Sequence, residues 1–205
     1  MARRVDSSVL LHEIARKALH LLIAFLPFIV TATSRLAATV LLSVGALYYI
    51  YSETIRLFYR GASPIPLMLT DWVRRMTLFS SRRQESLTFM IAPLTLALGG
   101  LLTILIFDGD AMYIGIYALA FGDTAAALIG NIFPVKQFSI IPGKSLGGGL
   151  ACFVTVLTAA FIVSGRWDVG LSCAGAAALT ELIPMKEYDN IAVPLVAGYA
   201  AYLFL

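Results

Sequence analysis

Residues 111–133 read AMYIGIYALAFGDTAAALIGNIF. Asp123 is the only charged residue in the run. At about 1.5 Å per residue, the run is long enough to cross a hydrocarbon core of roughly 30 Å. Length and composition together predict a membrane-spanning helix. Six more apolar segments surround it, at 9–33, 36–58, 86–107, 147–164, 168–183 and 189–205. The expected fold is therefore all-α: a polytopic membrane helix bundle of about seven transmembrane helices.

The composition agrees. Of 205 residues, 60% are hydrophobic, and the mean hydropathy is +0.87. Seven spans of about 20 residues consume roughly 140. The remainder leaves no room for a soluble domain of ordinary size, so 1–205 reads as a single membrane domain. An active site in such a chain must be built from helix ends and short loops. The net charge of +3 is modest, and the basic residues flank apolar spans instead of forming a continuous patch, which argues against a nucleic-acid partner. Arg3 and Arg4 precede an apolar segment as in a signal peptide, but equally apolar segments follow, so the first one reads as a retained helix.

Lysine and arginine set the expected orientation. With the N-terminus inside, the inner segments hold Arg3, Arg4, Arg16, Lys17, Arg56, Arg60, Arg74, Arg75, Arg82, Arg83, Lys136, Lys144 and Lys186, and the outer side holds only Arg35 and Arg166. This is a strong positive-inside bias and predicts a cytoplasmic N-terminus. The longest loop, 59–85, begins with the helix breakers Gly61, Pro64 and Pro66 and then mixes apolar residues with Arg74, Arg75, Arg82 and Arg83. It reads as a cytoplasmic basic loop, either a helix lying in the interface or a segment that only enforces topology. Cys152 and Cys173 fall at different depths of neighbouring helices, too far apart for a disulfide, and read as packing residues.

A charge inside lipid costs several kcal/mol, so each one within a span needs a reason. Glu13, Arg16, Lys17 and His20 stand at i, i+3, i+4 and i+7, on one helix face. A juxtamembrane anchor with snorkelling cations accounts for Arg16 and Lys17 but not for His20, which enters the apolar run. Glu53 and Arg56 can pair at i, i+3 near the inner end of the second helix, for structure or for substrate. Asp123 follows Gly122 and precedes Thr124-Ala125-Ala126-Ala127, with Gly130-Asn131 beyond. A lone carboxylate there demands a metal or a basic partner. Pro142-Gly143-Lys144-Ser145-Leu146-Gly147-Gly148-Gly149 leads into the fifth helix. Its glycines, the Lys144 charge, the Ser145 hydroxyl and the helix N-terminus suit a phosphate. The match to a P-loop is partial, because Phe138 stands where that motif needs glycine and no strand precedes it. Glu181 and then Asp189-Asn190 flank the inner turn 184–188. Asp189 suits a metal and Asn190 a ligand or donor, and helix capping accounts for one of the pair.

In this order the pieces resemble the CTP-dependent lipid-alcohol kinases, the family of dolichol kinase, phytol and farnesol kinase and the CTP-dependent diacylglycerol kinases. They are Glu13-x-x-Arg16-Lys17-x-x-His20, Gly122-Asp123-x-x-Ala126-x-x-x-Gly130, Gly143-Lys144-Ser145-Leu146-x-Gly148 and Glu181-Leu-Ile-Pro184 leading to Asp189-Asn190-x-x-Val193-Pro194-Leu195. They span nearly the whole chain. Gly147 stands where the family often has an acidic residue, and Pro134 where it often has a second glycine.

The resemblance implies transfer of the CTP γ-phosphate to a lipid hydroxyl at the cytoplasmic interface. It implies nucleotide binding by Gly130, Asn131, Gly143, Lys144, Ser145, Gly148, Arg16 and Lys17. Asp123, Asp189 and Asn190 would hold Mg²⁺ or Ca²⁺. Asp123, Lys144, Asp189 and Glu181 would be the catalytic groups, and Glu13, His20, Glu53 and Arg56 would meet the lipid substrate. The implied partners are CTP, a membrane lipid alcohol and the bilayer, and a homo-oligomer is compatible with the sequence. A CTP:phosphatidate cytidylyltransferase ranks second, since its longer Lys- and Asp-rich C-terminal signature is missing. A small ion-coupled transporter would place charges at mid-depth and show repeats, and a scaffold gives no reason to keep Asp123.

Overall fold

The computed structural model describes residues 7–58, 89–132 and 144–205, for residues 7–13, 15, 56 and 57 the backbone alone. Every regular element among the described residues is helical. The elements are α1 (Ser7–Ile23), α2 (Leu26–Ala32), α3 (Arg35–Phe58), α4 (Ala92–Ile106), α5 (Gly109–Tyr117), a π-helical turn (Ala118–Gly122), α6 (Asp123–Ile132), α7 (Leu146–Ser164), α8 (Trp167–Glu181), a 3₁₀ turn (Lys186–Tyr188) and α9 (Asp189–Phe204). The loop expected at 59–85 lies outside the described residues, as does Gly143.

Among the described residues, three helical segments are long and apolar enough to cross a membrane: Arg35–Ile55, Gly109–Ile132 and Leu146–Ser164. By comparison, α4 and α8 have 15 residues each and α9 has 16. At 1.5 Å per residue, these cover only about 22–24 Å of a roughly 30 Å core. The first expected span, 9–33, is two helices. Pro27 sits in the first turn of α2, where its missing N–H is harmless, and its ring cannot follow a continuous helix without striking the carbonyl of Ile23. Pro93 likewise opens α4, so the helix begins later than the expected residue 86. Gly165 ends α7 in the left-handed region, φ +66, which favours glycine.

The continuous rod α5–π turn–α6 is the centre of the bundle. Helix α7 packs along it, α8 lies against α7 and α9, and α9 returns against α5 and α4. Helix α1 rests on α6 and the π turn, while α3 packs on α4 at the periphery. The core is made largely of small residues (Ala118, Ala120, Cys152, Ala160, Cys173, Ala174, Ala177, Ala197), and these let the helix backbones approach closely. Both cysteines are free and buried, as expected. The small-residue stripe of α8 buries Gly170 and Ala174 and continues through Ala177. Large apolar side chains instead line the outside, among them Leu22, Phe28, Leu47, Leu150, Ile162 and Leu179. Lys17, His20, Glu53, Asp123, Glu181 and Asn190 are buried in the interior.

Candidate active site

Asp123 lies one residue past the π turn, on the central rod, and is buried. A π turn inserts an extra residue into the helical repeat and so rotates the residues beyond it, and such turns are frequent at functional sites. Thr124 supports the bend by donating its hydroxyl to the Ala120 carbonyl at 2.6 Å. Behind it, Gly122 gives α7 room, since a Cβ there would meet Val156 at 2.7 Å. Nothing in the sequence marks the π turn beyond this Gly122/Thr124 pair.

The basic partners that Asp123 requires come from α1. Lys17 donates its ammonium to Asp123 Oδ2, and His20 Nδ1 lies 2.7 Å from the same oxygen. Lys17 and His20 are buried as well. The shared helix face thus brings two of its members to the buried carboxylate. Arg16, one position round the helix, reaches Glu187 in the 3₁₀ turn at 3.7 Å. Burial pushes the Glu187 carboxyl above its ordinary pKa, and the Arg16 charge pulls the other way. The side chain of Glu13 lies outside the described residues.

The second group forms where α7, α8 and α9 meet. Lys144 Nζ donates to Glu181 Oε1 at 2.6 Å and to Asp189 Oδ2 at 3.1 Å. Burial opposes the lysine's charge, yet the two carboxylates hold its pKa above the ordinary value. Glu181 Oε2 is buried and has no hydrogen-bond partner among the described residues. The two groups are one site: carboxylate oxygens of Asp123, Glu181 and Asp189 all lie within 4.8 Å of one another. Three carboxylates this close repel, and Lys17 and Lys144 offset most of that charge. The donor set, with one oxygen of Glu181 unpartnered, fits a divalent cation that prefers oxygen ligands.

The remaining expected residues divide between this site and its frame. Ser145 is the N-cap of α7, and its hydroxyl accepts the Gly148 N–H at 3.1 Å. Gly130 and Gly148 lie at the α6–α7 crossing: a Cβ on Gly130 would come within 2.9 Å of Ser145 Oγ, and one on Gly148 within 2.8 Å of the Ala126 carbonyl oxygen. Asn131 is exposed at the end of α6. Asn190 is buried, and its amide nitrogen donates to Thr95 Oγ1 at 3.0 Å, on α4. Glu53 is buried too and accepts the Met90 N–H at 3.2 Å, while the Tyr49 hydroxyl donates to the Met90 carbonyl at 3.1 Å. Glu53 therefore holds the chain as it enters α4, whereas the side chain of Arg56 lies outside the described residues.

Thr95, Gly99, Tyr49 and Glu187 escape a sequence reading. The one available signal is Pro194, four residues after Asn190. It removes the helical donor for the Asn190 carbonyl and so asks what that oxygen meets instead. At the opposite end of the helices, Arg35 pairs with Asp108, and Arg166 with Asp168, well away from the site. Compared with models of protein families, with curated proteins and with solved structures, the chain has no match.

Proposed function

We propose that this chain is a multi-pass integral membrane kinase that transfers the γ-phosphate of CTP to the hydroxyl of a lipid alcohol: a polyprenol, a shorter isoprenoid alcohol or diacylglycerol. In this reading the shorter helices α4, α8 and α9 span the bilayer together with their flanking residues. The bundle then has about seven passes, the N-terminus is cytoplasmic and the site faces the cytoplasm. The positive-inside bias supports that orientation. The exposed apolar side chains support the bilayer.

The observation that carries the reading is the convergence of Asp123, Glu181 and Asp189 with Lys17 and Lys144 at the buried start of α7. Phosphoryl transfer asks for positioning and charge neutralisation more than for covalent chemistry. Lys144 stands beside the N-terminus of α7, whose dipole and free N–H groups favour an anion. It would exchange its carboxylate partners for triphosphate oxygens, with Arg16 and Lys17 supplying further charge. Asp123 and Asp189 would hold Mg²⁺ or Ca²⁺, and the bound ion would neutralise charge on the triphosphate. The lipid hydroxyl would enter from the membrane side past α1. Glu181 Oε2 is a buried oxygen without a hydrogen-bond partner among the described residues and is suited to take the hydroxyl proton. As the hydroxyl oxygen bonds to the γ-phosphorus, the bond from phosphorus to the bridging oxygen breaks, and CDP leaves.

The test is transfer by purified protein in liposomes, with γ-labelled CTP or ATP, Mg²⁺ and a panel of dolichol, undecaprenol, farnesol, phytol and diacylglycerol. Label in one lipid, lost with Lys144→Ala, supports the proposal and names the substrate. Folded protein that binds CTP and labels no lipid contradicts it.

A further inference from the structure

We infer that α4 is a positioning element for Asp189, acting through Thr95 and Gly99 on Asn190; this rests on the reading of Asp189 as a metal-holding carboxylate. The two oxygens of Asp189 do different things. Oδ1 accepts the backbone N–H of Asn190 at 2.9 Å, and Oδ2 accepts Lys144 at 3.1 Å. The direction of the carboxylate therefore follows the backbone of Asn190.

That backbone is held from α4 in two ways. The Asn190 side-chain nitrogen donates to Thr95 Oγ1 at 3.0 Å and, at 3.5 Å, to the Ala92 carbonyl, to which the Thr95 hydroxyl also donates at 3.0 Å. A threonine hydroxyl can accept and donate at once, so the chain of bonds is complete. Thr95 and Asn190 are both buried, where an unmade bond is costly. The second hold uses the Asn190 carbonyl, which lacks its usual i+4 donor because Pro194 stands four residues on. This oxygen lies against Gly99, and a Cβ at that position would overlap it. Thr95 and Gly99 are i and i+4, one above the other on a single face of α4. The entry to α4 is itself fixed to α3 by Glu53 and Tyr49 on Met90. Asn190 is thus a positioning residue whose amide nitrogen is committed to α4.

Groups that orient a metal's carboxylate typically cost 10–100-fold in metal affinity when removed. The probe is Mn²⁺ alone, titrated into the full chain in detergent and followed by loss of the free-ion EPR signal. Wild type binds, and Asp189→Asn binds weakly. Thr95→Val is expected to weaken binding at least tenfold, Thr95→Ala to do the same, and Thr95→Ser to restore it. Thr103→Val is the control. It removes a buried hydroxyl from the same helix, one whose bond among the described residues stays within α4, to the Gly99 carbonyl at 2.7 Å. It should lower stability comparably and leave Mn²⁺ affinity unchanged. Wild-type affinity in Thr95→Val beside weakened Asp189→Asn overturns the positioning role alone, as does equal weakening by Thr103→Val. A wild-type chain that takes up no Mn²⁺ overturns the metal reading of Asp189 and this inference with it.

Discussion

Replacing Asp123 by asparagine removes the negative charge between two buried groups of α1. Lys17 is 2% exposed and His20 is 2% exposed, so water cannot replace the lost partner. Breaking a buried ion pair from one side costs about 3–5 kcal/mol. For a chain of this length, each kcal/mol moves Tm by about 2–4 °C. Asp123→Asn should therefore melt roughly 10 °C below wild type, and phosphate transfer should be lost. Lys17→Met added to Asp123→Asn removes the stranded cation, and replacing both members of a buried pair with uncharged groups is often close to neutral. The double variant should regain most of the lost Tm and none of the transfer. Cys152 and Cys173 provide the assay, because both are free and buried and a thiol-reactive fluorophore reports their exposure on heating. If the double variant melts as low as Asp123→Asn, an uncompensated Lys17 is not the cause of the loss. If Asp123→Asn keeps full transfer, Asp123 has no part in the chemistry.

Other substitutions separate the site from its frame. Gly148→Ala pushes a methyl to within 2.8 Å of the Ala126 carbonyl oxygen. Such overpacking costs about 1–3 kcal/mol, so Tm should fall by several degrees in the same thiol assay. Glu53→Ala removes the buried carboxylate that accepts the Met90 N–H and should cost about 1–3 kcal/mol; a melting curve equal to wild type would rule that bond out as a support. Arg35→Gln removes the ion pair to Asp108, whose side chain is 85% exposed. Exposed pairs are worth at most about 1 kcal/mol, so Tm should move little and transfer should not change. Lys144→Met strands Glu181 and Asp189 beside each other and should abolish CTP binding measured by equilibrium dialysis, whereas retained binding would remove Lys144 from the nucleotide site.

The all-helical architecture is legible because charges are so sparse in the apolar runs that their ends mark themselves. The boundaries of α3, α7 and α9 fall within a residue or so of those expected. The split of 9–33 is visible in Pro27, but hydropathy alone runs straight through it. Lys17, His20 and Asp123 can each be singled out, since a buried charge needs a partner; which partner is a matter of packing. The π turn before Asp123 has no sequence period of its own. Gly130 and Gly148 show why glycine is ambiguous in such a chain: the missing side chain admits a phosphate or a neighbouring helix equally well, and here it admits a helix. Asn190 is ambiguous for a similar reason. An asparagine beside an aspartate can cap a helix, hold a metal or bond across to another helix, and the proximity of Thr95, which shows the last of these, is a matter of packing.

The site as a whole places two lysines among three carboxylates at the start of α7, an arrangement suited to exchanging internal ion pairs for a bound triphosphate. Transfer of the terminal phosphate is the central claim, and the position of the label tests it most directly. Purified protein in liposomes would be given CTP labelled at either the α- or the γ-phosphate, with Mg²⁺ and the lipid panel. The account predicts lipid label from γ-labelled CTP alone, with CDP as the nucleotide product. Lipid label from α-labelled CTP, with pyrophosphate released, would contradict it and make the chain a cytidylyltransferase.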